Sequence, residues 1–240
     1  MSAAVEPVLS LDGVVSGYNE LEVLRGISFD VAPGEFVTVV GPNGHGKSTL
    51  LKTISGLVPL KQGSIRINGS PTITKPHAIA AMGVAHVPQG DLLFPEMSVL
   101  ENLLMGAYLA PSSAEIARRL DEVFTLLPKL SDRRGQIASS LSGGERRMVG
   151  IGRGLMMGGT ILLLDEPSLG LAPLIIEQIY AVIAELSKSG RTILLVEENP
   201  ARVADLADHL HLLGDGAIVW SGPPQDLLAS DELLATYLGG

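Results

Sequence analysis

The apolar positions of this 240-residue chain change period several times. Residues 8–15 and 23–31 alternate loosely, as half-buried strands do, on either side of a turn holding Gly17, Tyr18, Asn19 and Glu20. Residues 35–40 form a short apolar run, the pattern of a strand covered on both faces. From residue 47 to 55, Leu50, Leu51 and Ile54 take helical spacing. Gly56 and Pro59 stop that helix. Strands at 64–68 and 84–87 follow, with a short helix at 77–82, opened by Pro76, between them.

Between residue 91 and about 140 the period is helical. Ser98, with Glu101 three positions on, reads as a capping box ahead of Leu100, Leu103, Leu104 and Tyr108. A second helix starts at Ser112 or Ser113 and carries Ile116, Leu120, Val123, Phe124 and Leu127. The stretch Leu92-Leu93-Phe94-Pro95 is more apolar than a free loop should be; it is either a docking patch for another protein or part of this lobe's own core. From 145 onward helices and strands alternate: helix 145–156, strand 161–164, helix 173–186, strand 192–196, a short helix from 201, strands 209–213 and 217–220, and two small helices at the end. That alternation predicts an α/β core with a mostly parallel sheet, into which a helical lobe is inserted.

Composition narrows the function classes. Although 46% of residues are hydrophobic, every apolar run is broken well short of the ~18 residues a membrane-spanning helix needs, and no basic segment followed by an apolar stretch opens the chain. Neither a span nor a secretory leader is expected. The net charge of −9 argues against a nucleic-acid partner, and the absence of cysteine excludes disulfides, thiolate catalysis and cysteine-ligated metals. His209 and His211 share one strand face, but no third ligand stands near them in the sequence, so a metal site there is disfavoured.

The chemistry concentrates at the ends of the apolar strands. Gly41-Pro42-Asn43-Gly44-His45-Gly46-Lys47-Ser48-Thr49 fits the phosphate-binding pattern G-x-x-x-x-G-K-[ST], between a strand and a helix as that pattern requires. Glycines let successive N–H groups turn toward phosphate oxygens, Lys47 neutralises them, and the Ser48 hydroxyl suits Mg²⁺. Gln89 ends the strand at 84–87, and Asp165-Glu166 end the strand at 161–164. One carboxylate there suits a metal shell and its neighbour suits a water to be deprotonated. Leu141-Ser142-Gly143-Gly144-Glu145 opens a further helix with free N–H groups and a hydroxyl, a second phosphate-binding design. One P-loop in one subunit cannot obviously use both, so the second design points to a neighbour's site.

In this order and at these separations, the four stretches resemble the Walker A, Q-loop, signature and Walker B motifs of the ATP-binding subunits of ABC transporters. The resemblance implies an α/β P-loop NTPase with a RecA-like core, an N-terminal antiparallel β-subdomain and an inserted α-helical subdomain. Residues 1–240 would be one domain, with 1–88 and 141–240 as the nucleotide-binding core and β-subdomain and 89–140 as the helical part. It implies ATP and Mg²⁺ as ligands, with Tyr18 stacked on adenine, residues 41–49 around the phosphates, and Ser48, Gln89 and Asp165 attending the metal. Glu166 would be the general base, with Gln89 also engaging the attacking water. Leu141 to Glu145 would act on the site of a second ATPase subunit, a paralogue or a second copy of this chain. The stretches 166–173 (EPSLGLAP), 195–199 (LVEEN) and 237–240 (YLGG) resemble more narrowly the LivF-type ATPases of branched-chain amino-acid, urea and amide importers. For these the expectation is an ATPase peripheral to the cytoplasmic face of the membrane, with permease subunits and, indirectly, a solute-binding protein as partners. The surface at 92–97 would receive a permease helix.

Three positions depart from the wider pattern, one of them Leu171 after the Walker B stretch, where most ABC ATPases carry an aspartate. Glu145 closes the signature where glutamine is commoner, and Glu198 occupies the position of the switch histidine. A carboxylate near a γ-phosphate is repelled unless protonated or held back, so Glu198 is not assigned the histidine's role. The rival within the class is the ATPase of lipopolysaccharide export, similar in 141–147 and in its ending but keeping the histidine. A soluble ABC protein of translation or DNA repair would carry two ATPase units or a long coiled coil. A small-molecule P-loop kinase would leave Ser142-Gly143-Gly144 unexplained.

Overall fold

Period-two patterning sorts the strands into two sheets in the computed structural model, which describes residues 6–71, 75–90 and 92–238. The first sheet is antiparallel, with strands β1 (Leu9–Tyr18), β2 (Leu21–Val31), β4 (Leu60–Ile67) and β5 (Ser70–Pro71) in the order β2-β1-β4-β5. The second has six strands: β3 (Phe36–Val40), β6 (Val84–Val87), β7 (Ile161–Asp165), β8 (Thr192–Glu197), β9 (His209–Gly214) and β10 (Ala217–Gly222). Their order is β10-β9-β3-β8-β7-β6, parallel throughout except for the edge pair β9–β10.

Alternate residues of the central strands feed two cores, as a pleated strand covered on both faces must. Phe36, Val40, Leu162, Leu164, Ile193 and Leu195 pack with helices α6 (Gly143–Met156) and α7 (Pro173–Lys188). Val37, Val39, Ile161, Leu163, Leu194 and Val196 face the other way, against helix α1 (Lys47–Ile54) and the antiparallel sheet. Both clusters are fully apolar, which is why these runs show no polar alternation.

The inserted segment is helical. It contains α3 (Val99–Gly106), α4 (Ser113–Leu126) and α5 (Pro128–Asp132), and α2 (Pro76–Ala81) precedes it beside β6. The capping box at Ser98 is present, Ser98 Oγ accepting from the Glu101 N–H while Glu101 takes the Ser98 N–H at 2.8 Å. Ser112 rather than Ser113 caps α4. Leu92, Phe94 and Pro95 are exposed while Leu93 is half-buried against the core. Two short helices, α8 (Pro224–Leu228) and α9 (Asp231–Leu233), follow the last strand. The expected closing glycines and Asp91 lie outside the described residues.

Three expectations need correction. The first hairpin turns only at Asn19-Glu20, with Asn19 at φ 48°, and Gly17 and Tyr18 belong to β1. Gly17 marks a close approach instead of a turn, because a Cβ there would collide with the Leu21 carbonyl across the strand pair. The lobe holds a third helix, α5, beyond the two expected, because Pro128 at N1 supplies the φ that starts a helix. The segment after residue 200 is a single 3₁₀ turn, Pro200–Arg202.

Candidate nucleotide site

Because β3, β6, β7 and β8 run the same way, their carboxyl ends lie along one rim of the sheet, where ligands of open α/β folds bind. From that rim emerge the P-loop after β3, Gln89 after β6, Asp165-Glu166 at the end of β7 and Glu197-Glu198 at the end of β8. Gly46, at φ 108°, turns the chain into α1, and a Cβ on it would come within 3.0 Å of Leu24 and 3.3 Å of Val23. The β1–β2 hairpin therefore touches the P-loop, and Tyr18, 45% exposed, stands at its tip. Gly41 must also be glycine, because a Cβ there would strike the Leu213 carbonyl.

Lys47 is 3% exposed and saturated with oxygen. Its ammonium donates to the carbonyls of Gly41 (2.7 Å) and Pro42 (3.0 Å) and to Asn43 Oδ1 (3.4 Å), and it pairs with Glu166 Oε1 at 3.0 Å. The other Glu166 oxygen accepts from Gln89 Nε2 at 2.7 Å. Ser48 Oγ donates to Asp165 Oδ1 at 2.8 Å, while among the described residues Asp165 Oδ2 is buried without a hydrogen bond of ordinary geometry. Burial, with the Glu166 charge adding to it, pushes the Asp165 carboxyl above the ordinary carboxylate range against the pull of the Ser48 hydroxyl. Glu166 itself is 4% exposed and sits at φ 43°, a left-handed conformation rare for glutamate.

The remaining P-loop residues face elsewhere. Asn43 Nδ2 donates to Glu198 Oε1 at 3.1 Å, so the switch-position carboxylate holds the loop, while His45 Nδ1 accepts the Asp215 N–H at 2.9 Å from the β9–β10 turn. Gly44 is open, at φ 85°, and Thr49 is buried in α1. His209 and His211 lie with ring centroids 4.8 Å apart, yet His211 bonds Ser221 and stacks on Phe29. No cluster of three metal-ligating side chains exists among the described residues.

The signature stretch stands apart from this cluster. Leu141 is buried, and Ser142 caps α6 from an exposed position. Ser142 N and Oγ both donate to Glu145 Oε2, at 2.9 and 2.8 Å, and Arg133 pairs with Glu145 Oε1 at 3.0 Å. These bonds hold the Glu145 carboxyl below its ordinary range. Gly144 packs on Ile175, where a Cβ would be 3.3 Å from Cδ1 and closer still to Cγ2. The described hydrogen bonds of the Ser142 side chain are to Glu145, within its own helix turn.

A model of the ABC transporter family matches residues 24–169, which include the P-loop, the signature and both carboxylates. The chain belongs to the ABC transporter family. It is 41% identical over 234 residues to the high-affinity branched-chain amino acid transport ATP-binding protein BraG of Pseudomonas aeruginosa, covering 97% of this chain and all of that one. It is 36% identical over 226 residues to the probable branched-chain amino acid transport ATP-binding protein LivF of Archaeoglobus fulgidus, covering 93% and 95%. Its fold matches the ADP conformation of an ATP-binding cassette of an ABC transporter with a TM-score of 0.86 and 28% identity over 96% of this chain and 98% of that one. The protein is thus an ATP-binding cassette, the ATP-hydrolysing subunit of such a transporter, and binds ATP and ADP. Subunits of this kind work with membrane permease components. No helix among the described residues is long and apolar enough to cross a membrane.

The cassette also uses residues that sequence reasoning passed over. Arg147 of α6 donates to the Gly90 carbonyl at 2.9 Å and links the signature helix to the Gln89 loop. Asn102, fully buried, accepts the Phe94 N–H and donates to the carbonyls of Phe94, Met97 and Ser98, fixing the 92–98 loop. Its signal was visible: it is a polar residue on the apolar stripe of α3. Ser168, Glu197 and Arg202 form a further cluster behind Glu166.

Proposed function

We infer that this cassette powers uptake of branched-chain amino acids or a related small polar solute, as one of two ATPase subunits on the cytoplasmic face of a membrane. The observation carrying the ATPase part of the reading is the joined set Lys47–Glu166–Gln89 and Ser48–Asp165 at one rim of the sheet, and the importer part rests on the likeness to BraG and LivF. A buried ammonium and carboxylate facing each other are a poor structural investment but a ready site for a polyphosphate, whose oxygens replace Glu166 as partners of Lys47. The unpartnered Asp165 Oδ2 beside the Ser48 hydroxyl fits a magnesium ion, with Gln89 as a third group. Bound there, the ion supplies charge neutralisation for the β- and γ-phosphates.

The roles of this chain's residues follow. Lys47 and the N–H groups of residues 43–49 bind the phosphates, and Tyr18 stacks on adenine from the hairpin tip. Glu166, released from Lys47, takes a proton from the attacking water while Gln89 keeps that carboxylate oriented. Leu141, Ser142, Gly143, Gly144 and Glu145 complete the site of the second ATPase subunit; the exposure of Ser142 and Gly143 at the start of α6 supports that reading. Glu198 tethers Asn43 and does not act as the switch histidine does. Residues 1–88 with 141–240 form the core and β-subdomain, and 89–140 the lobe that meets the permease through the exposed Leu92, Phe94 and Pro95.

The test is to purify the chain with its native membrane partners in mild detergent and identify them by mass spectrometry. The expected set is a paralogous ATPase and two membrane subunits of importer type, with ATP turnover by the assembly. Two copies of this chain on lipopolysaccharide-export subunits, or no membrane protein at all, would overturn the importer reading.

A further inference from the structure

Two residues past Glu166 the chain buries Ser168, 1% exposed, and one residue before Glu198 it buries Glu197, 2% exposed. The two meet: Ser168 Oγ donates to Glu197 Oε1 at 2.7 Å. Arg202, from the 3₁₀ turn after β8, donates through Nη1 to both, at 2.7 Å to Glu197 Oε1 and 2.6 Å to Ser168 Oγ. Tyr180 of α7 walls off the far side; burial and the Glu197 charge push its phenol upward. Among the described residues neither the Tyr180 hydroxyl nor Glu197 Oε2 makes a hydrogen bond of ordinary geometry.

A buried carboxylate is expensive to keep, and apart from Thr192 at the start of β8 the strands β7 and β8 are apolar up to their last residues. Glu166 adds a second expense through its left-handed backbone, a state that persists only where surroundings over-determine it. The Glu166 N–H donates to the Val196 carbonyl at 3.0 Å, and Leu169 N–H returns to the Glu166 carbonyl at 3.2 Å. Both contacts flank the Ser168–Glu197 bond. The strained residue is thus pinned to the end of β8 by one backbone bond before the side-chain cluster and by the cluster itself after it.

We propose that Ser168, Glu197 and Arg202 are positioning residues for ATP hydrolysis, tying the loop that carries Glu166 to the loop that carries Glu198 so that the two carboxylates keep a fixed relation to the nucleotide. This rests on the assignment of Glu166 as general base. The side-chain bonds described above join the three to one another and not to the P-loop residues, so they are expected to act on turnover and leave binding alone.

The experiment is steady-state ATP hydrolysis by the chain assembled with its native membrane partners, comparing Ser168→Ala, Ser168→Thr and Glu197→Gln with the unaltered protein. Ser168→Ala is expected to lower kcat about tenfold or more with KM for ATP changed less than twofold, and Ser168→Thr, which keeps the hydroxyl, to recover most of the loss. Glu197→Gln, of equal size, is expected to behave like Ser168→Ala. If Glu197→Gln fails to fold, the two Ser168 variants decide. Unchanged kcat in Ser168→Ala, parallel changes in kcat and KM, or no recovery in Ser168→Thr would overturn the proposal. The two levels separate through Glu166→Gln. Turnover insensitive to that change defeats the general-base assignment, whereas turnover sensitive to it but indifferent to Ser168 defeats only the positioning role.

Discussion

The two phosphate-binding designs of this chain differ in how far they are finished. Around Lys47 every charged group already has a partner within the chain, and the side chains are buried. Around Ser142 the exposed hydroxyl bonds Glu145 within its own helix turn, and Glu145 pairs with Arg133. A site that is closed and internally bonded is ready to exchange partners, since a phosphate can take the place of Glu166. A site that is open and self-capped has folded its anion-binding groups onto a carboxylate of its own and waits for a stronger anion from outside. On the proposed reading the first binds ATP within one chain, while the second serves the site of a neighbouring subunit.

The contrast can be broken most sharply at Glu166. Glu166→Gln should lower ATP turnover of the assembled transporter by about 10²–10⁴-fold, the range for loss of a general base, while ATP remains bound. Rapid phosphate-release assays with parallel nucleotide-binding measurements check this, and retained turnover would reject the assignment. Lys47→Met comes next. It removes charge-assisted bonds to phosphate, so ATP affinity of the single chain should fall about 10–100-fold by titration calorimetry. At the open site, Ser142→Ala should leave single-chain ATP affinity within about twofold but reduce turnover of the assembled pair, and loss of the cap should lower the melting midpoint by about 2–4 °C. A drop in single-chain affinity instead would mean the two designs already communicate within one subunit.

The smallest effect concerns pH. Burial lowers His86 and His211 from 6.5 to about 4, with Lys52 adding to the first shift and His209 to the second. Between those values the unfolded chain holds more protons than the folded one. These histidines therefore contribute stability fully above pH 6.5 and lose it as pH falls toward 4. Thermal midpoints between pH 7 and 4.5 should decline, and the slope should flatten in a His86→Gln, His211→Gln double variant while Ser142→Ala leaves it unchanged.

Much of this was legible before any coordinates. Strand ends with a glycine loop, a glutamine and an acidic pair announce themselves because the chemistry demands rare residue types at fixed offsets, and the buried strands announce themselves by having no polar alternation. What stayed hidden was relational. Gly17 has the same composition signal whether it turns the chain or lets Leu21 approach, and Pro128 looks alike as the end of one helix or the start of the next. Glu197 and Glu198 are adjacent and chemically identical in the sequence, yet one points into the core to meet Ser168 and the other outward to Asn43. Only the alternation of a strand that ends between them decides which is which.

That alternation also fixes where the chain tolerates length changes. β6, β7, β8 and β3 are paired residue for residue, so adding one amino acid inside 161–165 or 192–197 would swap inside for outside and send Asp165 or Glu197 to the wrong face. An extra residue between α3 and α4 would merely lengthen a surface connection. The protein's sequence can drift freely in size at its lobe, while its rim is written in a reading frame of two.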